Sequence, residues 1–267
     1  MARRAAEGSL ASWIRRALAH PLTRDIPLDD PRTTMLRREV IRRKPFLRKV
    51  YEGWYSWIAR NVPQGPGAVV ELGSGAGFLD EYIPGLITSE VFLCPHVRVV
   101  LDGRALPFRD SSLKAVAMVD VFHHVPDVRA LLQEASRCLM PGGRILMVEP
   151  WMTPFSRRVY TRLHHEPVDM EAGSWSFPSS GPLSGANTAL PWIVFERDLE
   201  TFRRDFPGLE LEGIDIVNPF SYLLSGGVST RSLVPGFFFP AVDLVERILS
   251  RRAKTLGMFA RISVRRR

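Results

Sequence analysis

The segment ELGSGAGF, residues 71–78, constrains the fold more than any other part of this sequence. It follows a short apolar and β-branched run and precedes a helical pattern, which predicts the order strand, tight loop, helix. Gly73, Gly75 and Gly77 let the backbone turn sharply and approach a ligand closely, and the first N–H groups of the following helix can bind that ligand. The segment therefore predicts a nucleotide-like ligand at the end of a strand.

Strand-like and helix-like patterns alternate after this loop. LITSEV, VRVVLDG, KAVAMVD and GRILMVEP are short apolar runs, whereas VRALLQEASRCLM has an amphipathic helical period. LELEGIDIV and MFARISVRR add two strand patterns towards the carboxyl end, on either side of a helical pattern, FFFPAVDLVERILS. Such alternation is typical of an α/β fold with a parallel sheet.

A dinucleotide-binding loop is the main alternative for residues 71–78. Its G-x-G-x-x-G pattern requires glycine at position 78, where this sequence has Phe78, and Glu71 would repel a pyrophosphate. Glu90 follows an apolar run about 20 residues on, where a carboxylate can accept hydrogen bonds from ribose hydroxyls. Hydride chemistry is therefore the second interpretation. A tight turn without any ligand is a third.

From about Gly67 to Pro150, the sequence resembles the class I S-adenosylmethionine-dependent methyltransferases, specifically the small-molecule enzymes that include quinone-biosynthesis methyltransferases. Four segments carry the resemblance in the family's order: VVELGSGAG, VVLDGRALPF, VDVFHHVPD and LMPGGRILMVEP. The stretch between Glu71 and Asp102 is short, and TSEVFLCPH lacks the usual aspartate at the end of the second strand. The predicted fold is Rossmann-like and doubly wound, with seven mostly parallel strands and an antiparallel last strand.

The resemblance implies where S-adenosylmethionine binds. Glu71 and the glycine loop would hold the amino acid end of the cofactor, and Glu90 its ribose. Asp102 and Gly103 would contact the adenine, and Asp120 would line the space near the sulfonium. The implied cofactor-binding residues are Glu71, Gly73, Ser74, Gly75, Gly77, Glu90, Asp102, Gly103 and Asp120.

Two histidines directly follow the fourth predicted strand. Methyl transfer from a sulfonium is an in-line displacement, so the protein aligns the nucleophile and, for some substrates, removes its proton. His123 and His124 can reach a substrate there, and imidazole titrates near neutral pH. One of them is the candidate base, and Asp120 completes the predicted catalytic set. The alternative is that one histidine packs inward while the other faces solvent.

A second cluster of metal-ligating residue types lies further along the chain. Adjacent histidines point apart, and no ligand spacing recurs in the sequence. We therefore predict no metal site, although this cluster can join the first histidine pair around a metal. Its members are His164, His165, Glu166 and Asp169.

The sequence lacks features of two classes of nucleic-acid methyltransferase, which narrows the range of possible methyl acceptors. Enzymes of this class that methylate amino groups of nucleic acids carry an Asn/Asp-Pro-Pro-aromatic sequence, where this chain reads DVFHHVPD. Cys94 and Cys138 are poorly placed for the covalent mechanism of pyrimidine methylation. Apolar surface is abundant around Trp54, in the loop containing Trp175, Phe177 and Trp192, and in FFFPAVDLV. It can form a substrate lid or pack as core. We predict a small, apolar or lipid-like acceptor.

The formal charge of +8 suggests polyanion binding, but the arginines are scattered through every segment. We predict no nucleic-acid partner. Peripheral contact of the arginine-rich N-terminal helices and residues 237–239 with an anionic membrane is an alternative. Two cysteines, no signal peptide and no apolar run of about 18 residues predict a cytoplasmic protein.

The chain divides into an N-terminal helical arm and cap, residues 1–62, and a methyltransferase domain, residues 63–267. Lid insertions are predicted at about 151–197 and 219–254. A different class of function is also open, namely a catalytically inactive protein of this fold that acts as a binding or partner subunit. The intact glycine loop argues against it.

Overall fold

The computed structural model describes residues 19–23, 26, 27, 29–163, 166–178, 181 and 185–267. The predicted amphipathic stretch in the first 18 residues, and two histidines of the second cluster, His164 and His165, lie outside the described residues. The strands are β1 (Ala68–Leu72), β2 (Ile87–Glu90), β3 (Val99–Val100), β4 (Leu113–Val119), β5 (Leu139–Pro150), β6 (Leu209–Val217) and β7 (Phe259–Arg266).

These strands form one seven-stranded sheet in the order β3-β2-β1-β4-β5-β7-β6. Neighbouring strands are parallel except for β7, which is antiparallel to β5 and β6. The predicted seven-stranded Rossmann-like sheet with an antiparallel last strand is confirmed. The central strands are apolar on both faces because helices cover both, and residues 115–118 and 145–148 are fully buried.

Helices flank the sheet and extend from its carboxyl edge. The α-helices are α1 (Pro31–Arg43), α2 (Pro45–Asn61), α3 (Val128–Cys138), α4 (Pro154–Leu163), α5 (Leu199–Asp205), α6 (Ser221–Ser225), α7 (Phe239–Ile248) and α8 (Ala253–Leu256). An α-helical turn, Leu190–Trp192, continues as a π-helix, Ile193–Arg197. Short 3₁₀ turns are Leu79–Glu81, Phe122–His124, Gly236–Phe238 and Leu249–Arg252. None of the described helices combines the length and the apolar character needed to cross a membrane.

The helix predicted after the glycine loop does not form. Only the 3₁₀ turn Leu79–Glu81 follows the loop, and the chain enters β2 six residues after that turn ends. Pro84 lacks the N–H that a helix would need, and Gly85 has a φ of 78°, outside the right-handed helical region. The prediction of a helix N-terminus at this position is therefore wrong, and any ligand contact here depends on the loop itself.

Helix α1 begins at Pro31, directly after its N-cap residue. The carboxylate of Asp30 caps it by accepting a 2.9 Å hydrogen bond from the backbone N–H of Arg32, and Pro31 occupies the first turn. Helix α2 presents the predicted aromatic face, with Tyr51 and Trp54 buried. The two helices cover the loop after β1, so they bring side chains of the N-terminal segment to the ligand-binding edge of the sheet.

Candidate cofactor and acceptor site

A cavity of about 760 Å³ lies at the carboxyl ends of β1 and β4. The strand order runs from β1 to β2 and β3 on one side and to β4 on the other, and open α/β sheets bind ligands in the crevice that this reversal creates. Five of the predicted cofactor-binding residues line the cavity. They are Gly73, Glu90, Asp102, Gly103 and Asp120.

The opposite wall comes from segments outside the strands. Thr34 and Arg37 of α1 and Tyr51 of α2 contribute to it. Further apolar and aromatic lining residues are Val125, Phe177, Tyr222 and Val228. The cavity therefore has a polar wall at the strand ends and a more apolar wall formed by the N-terminal helices and the later connections.

The glycine loop is packed tightly against its neighbours. Gly73 has a φ of 65°, a left-handed conformation that favours glycine. A Cβ added at Gly75 would meet the side chains of Thr34 and Glu90, and one added at Gly77 would meet the Tyr55 hydroxyl. Of the loop positions, Gly75 and Gly77 are not among the cavity-lining residues. These two glycines are needed for close packing of the loop itself.

Ser74 joins the loop to the neighbouring strand. Its hydroxyl donates to the backbone oxygen of Glu71 at 3.2 Å and accepts from the N–H of Ser89 at 3.1 Å. Its own N–H donates to the backbone oxygen of Ser89 at 2.8 Å. Ser74 is buried and does not line the cavity, so here it holds the loop against β2.

Glu71 is a buried carboxylate at the end of β1. Within the part of the chain that the structure describes, its Oε2 atom has no hydrogen-bond partner. Burial raises the pKa of Glu71 from its usual 4.5 to about 8. Buried polar atoms normally have partners, so this oxygen is suited to accept from a cationic ligand group. Glu71 is not among the cavity-lining residues.

The carboxylates of Glu90 and Asp102 have different hydrogen-bond partners. Glu90 is buried, and one carboxylate oxygen accepts from the N–H of Val91 at 3.0 Å; burial raises the pKa of this carboxyl. Asp102 is bound by Arg104 through the guanidinium at 2.6 Å and the backbone N–H at 2.9 Å, and these hydrogen bonds lower its pKa. Asp102 thus forms the local turn that was its alternative interpretation, while also lining the cavity.

Asp120 follows β4 in an unusual backbone conformation. Its φ is 61°, which is uncommon for a residue other than glycine and often marks a functional site. Its backbone N–H donates to Val148 in β5 at 2.9 Å. Burial raises the pKa of its carboxyl to about 7. Asp120 therefore presents a carboxyl that can hold a proton near neutral pH at the cavity wall.

His123 and His124 have different surroundings. His123 is fully buried, and its Nδ1 lies 2.7 Å from the Oε2 of Glu149. Although burial lowers the pKa of His123, the carboxylates of Glu149 and Glu166 beside its two ring nitrogens raise it well above the usual value. His123 does not line the cavity, which matches the alternative that one histidine packs inward.

His124 lines the cavity. Its Nδ1 lies 3.0 Å from the backbone oxygen of Gly185. Burial, followed by the charge of His123, lowers the pKa of His124 to about 4, so the ring is neutral near pH 7. Only 12% of this side chain is exposed, so it does not face solvent as the alternative required. Of the two candidate bases, His124 is the one positioned to contact an acceptor.

Two carboxylates that complete this region were not among the predicted site residues. Glu149, fully buried in β5, accepts hydrogen bonds from the backbone N–H groups of Val121 and Phe122 at 2.9 and 2.8 Å. Its signal in the sequence is a single charge inside the apolar run RILMVEP. Glu166 lies 3.3 Å from His123 Nε2 and 3.5 Å from His124 Nε2. It was grouped with the second cluster, and its position beside the first pair depends on the fold.

The aromatic residues that were expected to form a lid are divided between core and cavity. Trp54 is buried and donates to Asn218 Oδ1 at 2.7 Å, and Trp175 is buried and donates to Asp198 Oδ2 at 2.9 Å. Phe177 lines the cavity. Trp192 packs partly buried against the core. Most of this aromatic surface is therefore core, which was the alternative interpretation.

The two cysteines are far from the chemistry described here. Cys94 lies in the loop after β2 and Cys138 ends α3, as the sequence patterns indicated. Both are buried, and both are free thiols. Burial raises the pKa of Cys94 to about 11, so its thiol is protonated near neutral pH. Neither residue lines the cavity, which agrees with a role as a small apolar side chain.

Residues 70–147 match the family model described as a methyltransferase domain. The chain is 28% identical over 155 residues to 2-methoxy-6-polyprenyl-1,4-benzoquinol methylase of Drosophila melanogaster, an alignment that covers 55% of this chain and 47% of that protein. It is 33% identical over 85 residues to 2-methyl-6-phytyl-1,4-hydroquinone methyltransferase of Synechocystis sp., covering 32% of this chain and 26% of the relative. The chain thus spans about half, or less, of the curated relatives it matches.

Two solved structures are similar to this one at low identity. Geranyl diphosphate C-methyltransferase from Streptomyces coelicolor A3(2) is 17% identical, with 94% of this chain and 92% of that chain covered and a TM-score of 0.48. An S-adenosylmethionine-dependent methyltransferase from Mesorhizobium loti is 17% identical, with 81% and 100% covered and a TM-score of 0.46. Similarity at this level carries no argument about an acceptor.

The matched segment contains the glycine loop, the end of β4 and most of β5, which are the elements that form the polar wall of the cavity. The resemblance that the four motifs indicated is confirmed over this segment. Residues 70–147 are similar to a methyltransferase domain, and the chain resembles the quinone-biosynthesis methyltransferases.

Proposed function

We propose that this protein transfers the methyl group of S-adenosylmethionine to a small, apolar or lipid-like acceptor. The observation that carries the proposal is the cavity at the ends of β1 and β4, which has polar cofactor-side residues on one wall and apolar residues on the other. Its volume of about 760 Å³ falls in the range of small-molecule sites. The names of the two curated relatives, which specify quinols with polyprenyl or phytyl chains, support an apolar acceptor.

At the strand ends, the proposal gives each carboxylate a separate task. Glu71, with its unpartnered buried oxygen, accepts from the ammonium group of the cofactor, and Glu90 accepts from the ribose hydroxyls. Asp102 and Gly103 contact the adenine. The glycine loop, including Ser74, Gly75 and Gly77, supplies close packing rather than a helix N-terminus.

On the acceptor side, His124 is the proposed base. Its Nδ1 faces the Gly185 carbonyl oxygen, which can only accept, so the proton of the neutral ring stays on Nδ1 and the lone pair on Nε2. The ring therefore has a free acceptor nitrogen at the cavity. Asp120 lies on the same wall and positions the reacting groups near the sulfonium. His123 acts as a positioning residue behind His124, with ring centroids 4.2 Å apart.

We also propose that the insertion 219–254 makes peripheral contact with an anionic membrane. It contains large exposed apolar side chains, among them Phe237 at 76% and Ile248 at 69% exposure. Arg251, Arg252 and Lys254 are exposed next to them. Apolar side chains flanked by cations are typical of interfacial helices. The same insertion contributes cavity residues, so this contact would give a lipid-like acceptor a short path to the site.

This proposal keeps the chain organisation expected from the sequence. Residues 1–62 act as an arm and cap over the cofactor site, and 63–267 form the catalytic domain with lid insertions at about 151–197 and 219–254. Thr34 and Tyr51, from the cap, line the cavity and support this division. The protein would act in the cytoplasm, peripherally at the membrane.

Calorimetric titration with S-adenosylmethionine and S-adenosylhomocysteine, with NADH as the control, tests the cofactor half of the proposal. Micromolar binding of the first two and none of NADH is expected. Turnover is then tested with demethylated quinols that differ only in side-chain length, and the long-chain acceptor should be preferred. Cofactor binding without any turnover would favour the partner-subunit interpretation, and absence of cofactor binding would contradict the proposed site.

A further inference from the structure

We propose that His123, His124 and Glu166 bind a first-row transition-metal dication, such as Zn²⁺, at the edge of the cavity. One ligand atom from each residue lies within 4.8 Å of the other two. The sequence predicted no metal because adjacent histidines usually point apart. Here the two rings lie side by side, with centroids 4.2 Å apart and planes inclined by 40°, and Glu166 lies near both Nε2 atoms.

The contacts of the two rings leave both Nε2 atoms facing Glu166. His123 Nδ1 lies 2.7 Å from Glu149 Oε2, and His124 Nδ1 lies 3.0 Å from the Gly185 carbonyl oxygen. An ionised carboxylate and a carbonyl only accept, so each ring keeps a proton on Nδ1. His123 would release its second proton, on Nε2, when a metal ion binds there.

Without a metal, the second proton of His123 lies between its Nε2 atom and the Glu166 carboxylate, and a dication can take the place of that proton. His123 Nε2 is fully buried and, within the described part of the chain, makes no hydrogen bond of acceptable geometry. A buried polar atom without a partner is costly, and a metal ion would satisfy it together with its neighbours. This unpartnered nitrogen is the observation that points most directly to a ligand.

The spacing also fits direct coordination. Metal–ligand distances of about 2.1 Å at tetrahedral angles put neighbouring ligand atoms about 3.4 Å apart. His123 Nε2 lies 3.3 Å from Glu166 Oε2, and His124 Nε2 lies 3.5 Å from Glu166 Oε1. Each nitrogen is therefore at a coordination-like distance from one oxygen of the same carboxylate, and one ligand atom from each residue lies within 4.8 Å of the others.

Glu149 provides the support that metal-bound histidines usually have. Its Oε2 accepts from His123 Nδ1, and its Oε1 is held by two backbone N–H groups, those of Val121 and Phe122. A carboxylate behind a ligating histidine fixes the ring orientation and increases the basicity of the ligand. Glu149 is thus a positioning residue for the proposed site.

The donor set defines the class of metal. Two imidazoles and one carboxylate suit Zn²⁺ or Fe²⁺, whereas Mg²⁺ prefers oxygen ligands. His124 and Glu166 line the cavity, so the remaining coordination positions face the space proposed for the acceptor. With the ion bound, His124 Nε2 is a ligand and no longer a base, and the ion takes over that task because a hydroxyl bound to it would ionise more readily. That consequence depends on the proposed methyl transfer, whereas the metal binding itself does not.

Metal binding is tested without cofactor or acceptor, so it can fail independently of the proposed function. The purified full chain is treated with a chelator, dialysed and titrated with Zn²⁺ and, separately, Mg²⁺ by calorimetry. One Zn²⁺ per chain and at least tenfold weaker Mg²⁺ binding are expected. Loading with Co²⁺ should produce visible d–d absorption bands, which are a direct signature of coordination.

Three variants identify the ligands, with far-UV circular dichroism verifying that each one folds. Glu166→Gln and His124→Gln should each weaken Zn²⁺ binding at least 100-fold and remove the Co²⁺ bands, and Glu149→Gln should weaken it about 10- to 100-fold. Asp169→Asn, a matched exposed carboxylate in the same segment, should leave the affinity unchanged. A His164→Gln/His165→Gln double variant should also still bind Zn²⁺.

Two results would overturn the proposal. The first is absence of stoichiometric Zn²⁺ binding by the full chain, which would leave His123 as a protonated ring between two carboxylates. The second is Zn²⁺ binding that survives Glu166→Gln and His124→Gln but is lost in the His164→Gln/His165→Gln variant, which would move the site to the second histidine pair.

Discussion

The strand ends at the cavity and the insertion 219–254 distribute their charged and apolar groups in opposite ways. At the strand ends, Glu71, Glu90 and Glu149 are buried, and their backbones are held by neighbouring strands. In the insertion, apolar side chains such as Phe237 and Ile248 are exposed, and exposed arginines occur in the same segment. Burying charges in a folded core costs free energy, and so does exposing apolar surface. Both regions therefore lower the stability of the chain, in opposite ways.

Gly75→Arg is expected to have the largest effect on the cofactor side. A Cβ at this position already overlaps Thr34 and Glu90, so a long side chain must displace the loop or α1. S-adenosylhomocysteine affinity should fall more than 100-fold in a calorimetric titration. Gly53→Ala is the matched control, because a Cβ there meets nothing within 4 Å and alanine is a better helix former. Unchanged affinity in Gly75→Arg would contradict the site.

Asp120→Asn should reduce turnover about 100-fold while changing the free energy of unfolding little. Asparagine tolerates the left-handed backbone conformation of this position but removes the carboxylate. Asp120→Ala should lose the same activity and, in addition, about 1 kcal/mol of stability, because alanine is strained at positive φ. Initial-rate kinetics and urea unfolding separate the two effects. Full activity in Asp120→Asn would remove this residue from the catalytic set.

Glu71→Gln should change the pH dependence of stability in the absence of ligand. In the folded chain the pKa of Glu71 is about 8, against a usual 4.5, so from about pH 4.5 upwards the unfolded chain loses a proton that the folded chain retains. Glu71 therefore lowers the free energy of unfolding progressively as pH rises from 4.5 to 8, by up to about 5 kcal/mol. Below pH 4.5 both states are protonated, and the penalty disappears.

The measurement is thermal unfolding at pH 5 and pH 8. Glu71→Gln should raise Tm at pH 8 and have little effect on Tm at pH 5. The control, Glu200→Gln at an exposed glutamate, should leave Tm unchanged at both pH values. The same Glu71→Gln variant should bind S-adenosylmethionine more weakly, because the proposed acceptor for the ammonium group is lost. A variant that is less stable than the parent at pH 8 would show that the carboxylate has a partner in the folded chain.

Substitutions in the insertion should have the smallest effect on stability. Phe237→Ser/Ile248→Ser removes two highly exposed side chains and should change the free energy of unfolding by less than about 0.5 kcal/mol. Co-sedimentation with phosphatidylglycerol vesicles should nevertheless fall several-fold. Leu93→Ser, an exposed leucine outside the insertion, should leave vesicle binding intact. Equal binding to phosphatidylcholine and phosphatidylglycerol vesicles would contradict the electrostatic part of the proposal.

Most of the sheet could be predicted because its signals are local. Apolar runs and their spacing define β1, β4, β5, β6 and β7 within a few residues of their observed bounds. The prediction of a helix after the glycine loop was wrong because Pro84 and Gly85 end the helical conformation before a second turn can form.

The sequence by itself determined most of the strands, the glycine loop and the resemblance to methyltransferases, because hydrophobic period and glycine spacing act over a few residues of chain. Only the tertiary structure decided that Glu149 and Glu166 meet the two histidines, that Asp102 is bound by Arg104, and that His124 rather than His123 faces the cavity. The physical reason is distance along the chain. Contacts between side chains on different strands and loops depend on how the layers pack, and local patterns do not contain that information.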